Sequence, residues 1–452
     1  MTNSLTAISL FASGGIGDLA LRRASVQTLI ANEIVPTRAE IFRRNFPEAH
    51  MIDGDIWELK STIVSSTKQL LNGRSLDMLI ATPPCQGMSK NGRGKLLSEI
   101  RNNGKPVLDK RNELIIPTVQ IIKELQPRVI VFENVPEMEW TVIPDPANSG
   151  EVIEILEYVR RELPTEYSGN WEVVEFADYG VPQRRQRLIT VFTRDPALKA
   201  FYNQTGRLLP RKTHSQKGIG DTLKWVNVKD VIGHLPPLDA KDSETAKDPI
   251  IEWHHVTLLD SDKYFWVSNT PPESGAFDNQ CANSECGFQG NPIHGSRKTG
   301  SGINRANVDT PLYCLKCGEI LPRPWVGKGN DRRLMKGFTS AYRRMSWNAP
   351  ASTLTTNFAY ACSDKKIHPT QHRTLSTFEA LILHTISNYG YFFEYPSGKK
   401  VSKQVLRDII GESVPPMGMQ RIFDFLVAGL RNKIPSDQYR EVFQSSLFNE
   451  AI

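Results

Sequence analysis

Short apolar runs, each stopped by small, polar or proline residues, mark out the first part of the chain. "AISLFASGG" (7–15), "SLDMLIATPP" (75–84), "PRVIVFENV" (127–135) and "RQRLITVF" (185–192) have the length and composition of strands. "DLALRRAS" (18–25) and "VIEILEYVRRELP" (152–164) carry helical spacing instead. Strands separated by helices predict an α/β fold: a doubly wound, mostly parallel sheet covered on both faces. Ligands of such sheets sit at the carboxyl ends of the strands, where Ser13, Cys85 and Glu133 fall. After about residue 195 the pattern loses its alternation and Pro, Gly, Asn and Ser rise, which predicts a second, smaller and irregular lobe up to about residue 345. Towards the end, "GESVPPMGMQRIFDFLVAGLRN" predicts a turn followed by an amphipathic helix.

Length agrees with two lobes, since 452 residues exceed one average domain. No apolar run reaches the ~18 residues of a membrane span, and the start lacks the basic region of a secretory signal, so a cytoplasmic protein with no membrane partner is expected. A net charge of +6 is a weak pointer to a polyanion, and its distribution says more. From Arg323 to Arg344 there are seven Lys/Arg against Asp331 alone, with Trp325, Phe338 and Tyr342 interleaved; from Gly87 to Arg111 there are seven more against Glu99 and Asp109. Either run suits a nucleic-acid surface or a merely solvated one.

The chemistry-bearing residues lie where strands end. In "FASGGIGDLAL" the absence of side chains lets backbone approach a nucleotide at a helix N-terminus. Glu33 ends a second strand, where a carboxylate can accept from both hydroxyls of a ribose, and Asp55 and Ile56 are placed to flank an adenine; a tight turn with two surface acids is the plain alternative. Cys85 follows two prolines, which favours a thiol held on a rigid turn over one packed in a strand. Glu133 follows an apolar run, and burial there would raise its pKa and make it a proton donor near neutrality. In "YGVPQRRQRLI" Arg185 and Arg187 share one face of an extended segment, so two guanidinium groups can point to one place.

Four of the six cysteines make a separate pattern: Cys281-x4-Cys286, a gap of 27 residues, then Cys314-x2-Cys317. Without a secretory signal, that spacing favours a structural zinc ribbon over disulfides or free thiols. His254, His255 and His294 lie near enough in sequence to replace a ligand, His368 and His372 suit surface or packing positions, and no role is assigned to Cys362.

"LFASGGIGDLAL", "PPCQG", "DKRNEL", "FENV", "YGVPQRRQRLI" and "GESVPP" occur in an order and approximate spacing that resemble the DNA cytosine-5 methyltransferases of bacterial restriction-modification systems. The resemblance implies a Rossmann-like catalytic domain at 1–194, a target-recognition domain at 195–345 with the ribbon at 281–317, a connecting segment at 346–404 and a returning segment at 405–452. It implies a cytosine flipped out of double-stranded DNA, Cys85 as the nucleophile at C6, Glu133 at N3 and the exocyclic amine, Arg187 at O2 and Arg185 in support. Gln86 and Asn134 complete the catalytic set, and Gly87 to Lys110 becomes a closing loop. S-adenosylmethionine would be held by Phe11, Ser13, Gly14, Gly15, Glu33, Ile34, Asp55, Ile56, Pro83, Leu114, Ser413 and Val414. The family usually has glycine where Ser13 and Ile16 stand and asparagine where Glu412 stands. The resemblance further implies a monomer, with a cognate restriction endonuclease encoded nearby. Two rivals are a tRNA cytosine-5 methyltransferase of the same family and a catalytically silent DNA-binding scaffold.

Overall fold

Every residue of the first strand, β1 (Leu5–Leu10), is buried, Thr6 and Ser9 included, as befits a strand with neighbours on both sides and helices above and below. Parallel to it run β2 (Val26–Glu33), β3 (His50–Asp53), β4 (Met78–Ala81) and β5 (Val129–Asn134). A small antiparallel hairpin, β6 (Val142–Pro144) and β7 (Val152–Glu154), follows β5. β9 (Gln186–Thr193) adds an antiparallel strand beside β5, and β8 (Ser168–Glu175), antiparallel to β9, again runs in the direction of β5, giving a seven-stranded sheet ordered β3-β2-β1-β4-β5-β9-β8. The fold is thus α/β with a mostly parallel sheet, as the alternation of patterns predicts. This computed structural model describes residues 4–84, 109–294, 296–298, 304–306, 310–336 and 338–439.

Helices cover both faces. On one, α1 (Ile16–Arg23), α6 (Pro196–Thr205) and α11 (Pro416–Leu430) bury Leu21, Phe201, Phe423 and Leu426 against Ala7 and Val131, while α2 (Pro36–Asn45) buries Phe42 beside Ile16 and Leu19 of α1. On the other, α3 (Ile56–Leu71), α4 (Ile115–Leu125) and α5 (Ile155–Glu162) bury Ile63, Ile121 and Val159 against Ile8 and Ile130. Local chemistry sets the ends: the Asp55 carboxylate accepts the Trp57 N–H at 2.9 Å to start α3, and Asn72 stops it in the left-handed region at φ 48°. Pro196 opens α6 behind the Asp195 cap, and Gly206 closes it at φ 69°.

The change of texture at 195 and the change of packing do not coincide. Leu198, Phe201, Leu208 and Leu209, which follow the change of texture, pack in the core of the first lobe. Sequence texture registers the loss of periodicity, but a single helix after the last strand still finds its partner in the sheet. Among the described residues, the second lobe holds α7 (Val228–Ile232), α8 (Ser261–Ser268) and three two-stranded ribbons. One of these pairs Trp325–Val326 with Arg333–Leu334. Its core is aromatic: Trp266 meets Trp325 edge-on at 5.0 Å and Tyr342 at 5.4 Å. The chain returns through α9 (Thr377–Leu383) and α10 (Lys403–Glu412) to α11. Outgoing and returning segments are zipped together, with Val228 N–H donating to Ala349 C=O at 3.0 Å and Lys229 N–H to Trp347 C=O at 3.1 Å. Gln183 and Ala351 form a parallel bridge beside them. Among the described residues, no helix is long and apolar enough to cross a membrane.

Candidate active site

The strand order reverses between β1 and β4, and a cleft of about 650 Å³ opens there at the carboxyl ends of the parallel strands. Phe11, Ser13, Gly14, Glu33, Ile34, Asp55, Ile56, Pro83, Leu114, Ser413 and Val414 all line it, as do Glu133, Asn134 and Arg187. Glu33 is anchored at the end of β2, its two oxygens each accepting one backbone N–H at 2.8 Å, from Ser13 and from Val35. A carboxylate oxygen accepts more than one hydrogen bond, so both keep capacity for ligand hydroxyls. The apolar side chain of Ile34 stands 59% exposed beside it, a surface that a flat heterocycle would cover.

The first loop is held in an unusual shape. Phe11 (φ 61°) and Ser13 (φ 48°) adopt left-handed backbone, a conformation that costs a side-chain-bearing residue about 1 kcal/mol or more. Contacts from elsewhere sustain it: the Ser13 N–H is fixed by Glu33, and the buried Tyr391 hydroxyl donates to Gly14 C=O at 2.6 Å. A Cβ on Gly14 would lie 2.6 Å from that same hydroxyl oxygen. Gly15 faces Phe42 and Phe46, where a Cβ would lie 2.5 Å from the Phe46 ring, and its φ of 83° turns the chain into α1.

Behind the loop lies an acid that spacing alone did not single out. Asp18, in the first turn of α1, is buried and accepts hydrogen bonds from the Ser9 hydroxyl at 3.0 Å and the Thr28 hydroxyl at 3.1 Å. Burial raises its pKa against the pull of those two donors, to about 7. Its inward position next to Leu19 on the apolar face of α1 was the available signal. Glu412, standing where the family usually has asparagine, lines the cleft and pairs with Arg38 at 2.8 Å. An acid at that place needs a cation, but no sequence spacing names Arg38 as the partner.

At the other end of the cleft, strand polarity assembles the remaining groups. β9 runs antiparallel to β5 with Asn134 opposite Leu188, so Arg187 arrives at the edge where β5 ends. Its Nε lies 2.8 Å from Glu133 Oε1, and both side chains are largely buried. Burial pushes the Glu133 carboxyl up while Arg187 and Arg185 pull it down, and the net shift is upward. The Asn134 side chain donates to Pro83 C=O at 2.9 Å, tying the end of β5 to the segment leading into Cys85. Cys85 and Gln86, with residues 87–108 of the expected closing loop, lie outside the described residues.

Arg185 does not join Arg187 at one place. Its guanidinium, 1% exposed, donates to Leu354 C=O at 2.8 Å and Gly411 C=O at 2.9 Å, so it clamps the returning chain and cannot reach a DNA phosphate. Arg185 precedes β9, which begins at Gln186, and the two side chains enter different surroundings. The run from Arg323 to Arg344 needs a similar correction. Arg323 is fully buried on the carbonyls of Asn279 and Pro311, and Arg344 on those of Thr270, Val267 and His368. Lys328, Arg333, Lys336 and Phe338 remain exposed.

The four cysteines do converge. Their sulfurs lie within 4.8 Å of one another, with Cys281 and Cys317 at 3.6 Å and Cys286 and Cys314 at 4.0 Å. Four thiolates about 2.3 Å from a central zinc ion would be about 3.8 Å apart, whereas a disulfide needs about 2 Å. His294 stacks on Phe277 at 4.3 Å, and His254 bonds Ser376 at 2.9 Å; neither belongs to the group. His368 is buried as a packing residue.

The sheet order and the acid-anchored cleft at its switch point define a Rossmann-like methyltransferase. The model of the C-5 cytosine-specific DNA methylases matches residues 5–428, and the chain belongs to that family. It is a DNA cytosine-5-methyltransferase. Among its relatives, the type II methyltransferase M1.HgaI of Avibacterium volantium is 27% identical over 436 residues, covering 93% of this chain and 98% of the relative. The type II methyltransferase M1.HphI of Haemophilus parahaemolyticus is 30% identical over 268 residues, 59% of this chain and 62% of the relative. A crystal structure of a prophage-encoded E. coli protein, described as a DNA modification methyltransferase, superposes with a TM-score of 0.53 at 19% identity, covering 95% of this chain and 99% of that one. This last likeness concerns the fold.

Proposed function

We propose that the cleft holds S-adenosylmethionine next to a flipped cytosine, and that the protein is the modification enzyme of a restriction-modification system. The observation that carries the assignment of the target pocket is the Glu133–Arg187 pair, buried at the end of the cofactor cleft. The cofactor fits the cleft: Glu33 offers acceptors for the ribose, Ile34 and Ile56 offer apolar walls for the adenine, and Leu114 and Val414 line the remainder. When bound, it supplies an electrophilic methyl group.

The protein's groups prepare the base to receive it. The Cys85 thiolate adds to C6, and the C5=C6 electron pair becomes available at C5. Glu133, with its proton affinity raised by burial, donates towards N3 as charge builds on the ring, and Arg187 holds O2. After methylation, loss of the C5 proton to a base restores the double bond and expels the thiolate. Asn134 positions this chemistry by holding the Pro83 carbonyl, and Arg185 positions it by clamping the start of β9.

The second lobe reads the DNA sequence, with Lys328, Arg333, Lys336 and Phe338 on its exposed ridge and the four cysteines closed around a structural zinc ion. Restriction-modification is supported by the relatives, which are type II methyltransferases. Bisulfite sequencing of DNA from cells expressing the protein tests the whole reading. A single protected cytosine context is expected, lost in Cys85→Ala; methylated RNA with unmethylated DNA would overturn it.

A further inference from the structure

A buried histidine that no step above uses lies between the strand carrying Arg187 and the rim of the cofactor cleft. His384 follows α9 directly and is fully buried. Its Nδ1 lies 3.0 Å from Gln183 Nε2, and its Nε2 lies 3.0 Å from Ser413 Oγ. Neither partner is free to rotate away. Gln183 is itself buried in the bridge to Ala351, and Ser413 N–H is bound to Ile409 C=O at the end of α10.

The neighbours fix the proton positions. Gln183 Oε1 accepts Leu354 N–H at 2.9 Å, which turns the amide nitrogen towards His384, where it donates to Nδ1. A neutral imidazole with an accepting Nδ1 carries its proton on Nε2 and donates it to Ser413 Oγ. Burial, with Arg185 and Arg187 nearby, holds the ring neutral by keeping its pKa well below the ordinary value. The Ser413 hydroxyl in turn donates to Ile410 C=O at 3.0 Å. A hydroxyl has one proton and two lone pairs, so with the proton and one lone pair engaged, Ser413 has one lone pair left for the cleft it lines.

We propose that His384 is a positioning residue that sets Ser413 as a hydrogen-bond acceptor for a protonated amine of the bound cofactor, and that it ties this end of the cleft through Gln183 to the segment carrying Arg185 and Arg187. The proposal rests on the cleft being the cofactor site. It explains why a polar ring is tolerated in a fully buried place: all of its hydrogen-bonding capacity is used.

Steady-state kinetics on the full chain test it, with S-adenosylmethionine and a DNA duplex as substrates. His384→Leu removes both bonds and should raise the KM for S-adenosylmethionine about tenfold, the usual worth of one buried hydrogen bond, while kcat changes less than about twofold. His384→Gln keeps an N–H for Ser413 and should stay within about threefold of wild type. Ser413→Ala should raise KM similarly, and the double variant should be no worse than His384→Leu alone, since both remove one link. Should His384→Leu fail to fold, His384→Asn, too short to reach Ser413, takes its place in the same comparison. A lowered Tm with unchanged KM would reduce His384 to packing and overturn the proposal, as would effects that multiply in the double variant. Glu33→Ala is the control: if it too leaves KM unchanged, the cleft is not the cofactor site and both readings fall; if it raises KM and His384→Leu does not, only the relay falls.

Discussion

The two lobes of this methyltransferase place their functional groups by opposite means. In the first, regular strands do the placing: Glu33, Glu133 and Asn134 end parallel strands, and the antiparallel β9 delivers Arg187 to the same edge. In the second, ribbons of two or three residues cannot hold themselves together, and buried arginines bonded to backbone carbonyls take over the task. Arg344 alone gathers the carbonyls of Val267, Thr270, His368 and Gln371. Where hydrogen-bonded strands are scarce, the unpaired carbonyls of loops have to be satisfied one side chain at a time.

The comparison can be broken at several points, and the largest effect is expected in the first lobe. Cys85→Ala should abolish transfer of tritiated methyl groups to DNA while binding in a gel-shift assay persists; residual transfer at more than about a thousandth of wild type would refute the nucleophile. Glu133→Gln should lower kcat by about a hundredfold or more. In the wild type, kcat should fall as pH rises through the elevated pKa of Glu133, because the donor form is then lost.

In the second lobe, Arg344→Ala should cost about 3 kcal/mol in denaturant unfolding, because it leaves several buried carbonyls unpaired. Removal of the metal should separate the lobes most cleanly. The purified protein should contain one zinc ion per chain by mass spectrometry, and chelation or Cys314→Ser should weaken DNA binding without changing the affinity for S-adenosylhomocysteine. A change in both would mean that the lobes are not independent.

A last test concerns Asp18. With a folded pKa of about 7 against an ordinary value of 3.8, the folded state keeps a proton that the unfolded state has already lost between those values. Its contribution to stability is therefore full at low pH and is lost as pH rises towards about 7. Asp18→Asn should flatten that part of the Tm profile between about pH 4 and 7, and an unchanged profile would place the proton elsewhere.

Much of the first lobe was legible because periodicity and strand-end chemistry are local. The runs ending in Phe11, Pro83 and Glu133 name their own strands, and those three residues line the cleft. What escaped depended on partners distant in sequence. Tyr391 reaches the Gly14 carbonyl across 377 positions and Arg185 the Gly411 carbonyl across 226, and no local pattern encodes either contact. The basic run after Arg323 stayed open between readings for a related reason. A charge count cannot tell a guanidinium in water from one enclosed by carbonyls, and only the tertiary structure distinguishes Arg323 from Arg333. The cysteine spacing was legible because four soft ligands in two short pairs leave few other arrangements.

The zipped neck at Val228 and Ala349 has a consequence for how such an enzyme can change. The stretch between those positions starts and ends side by side, yet it stays tied to the returning segment: Arg344 holds the carbonyls of His368 and Gln371, and His254 bonds Ser376. A change in the second lobe is therefore felt along the path back to the cleft, so that the unit a lineage could exchange is larger than the stretch the neck encloses.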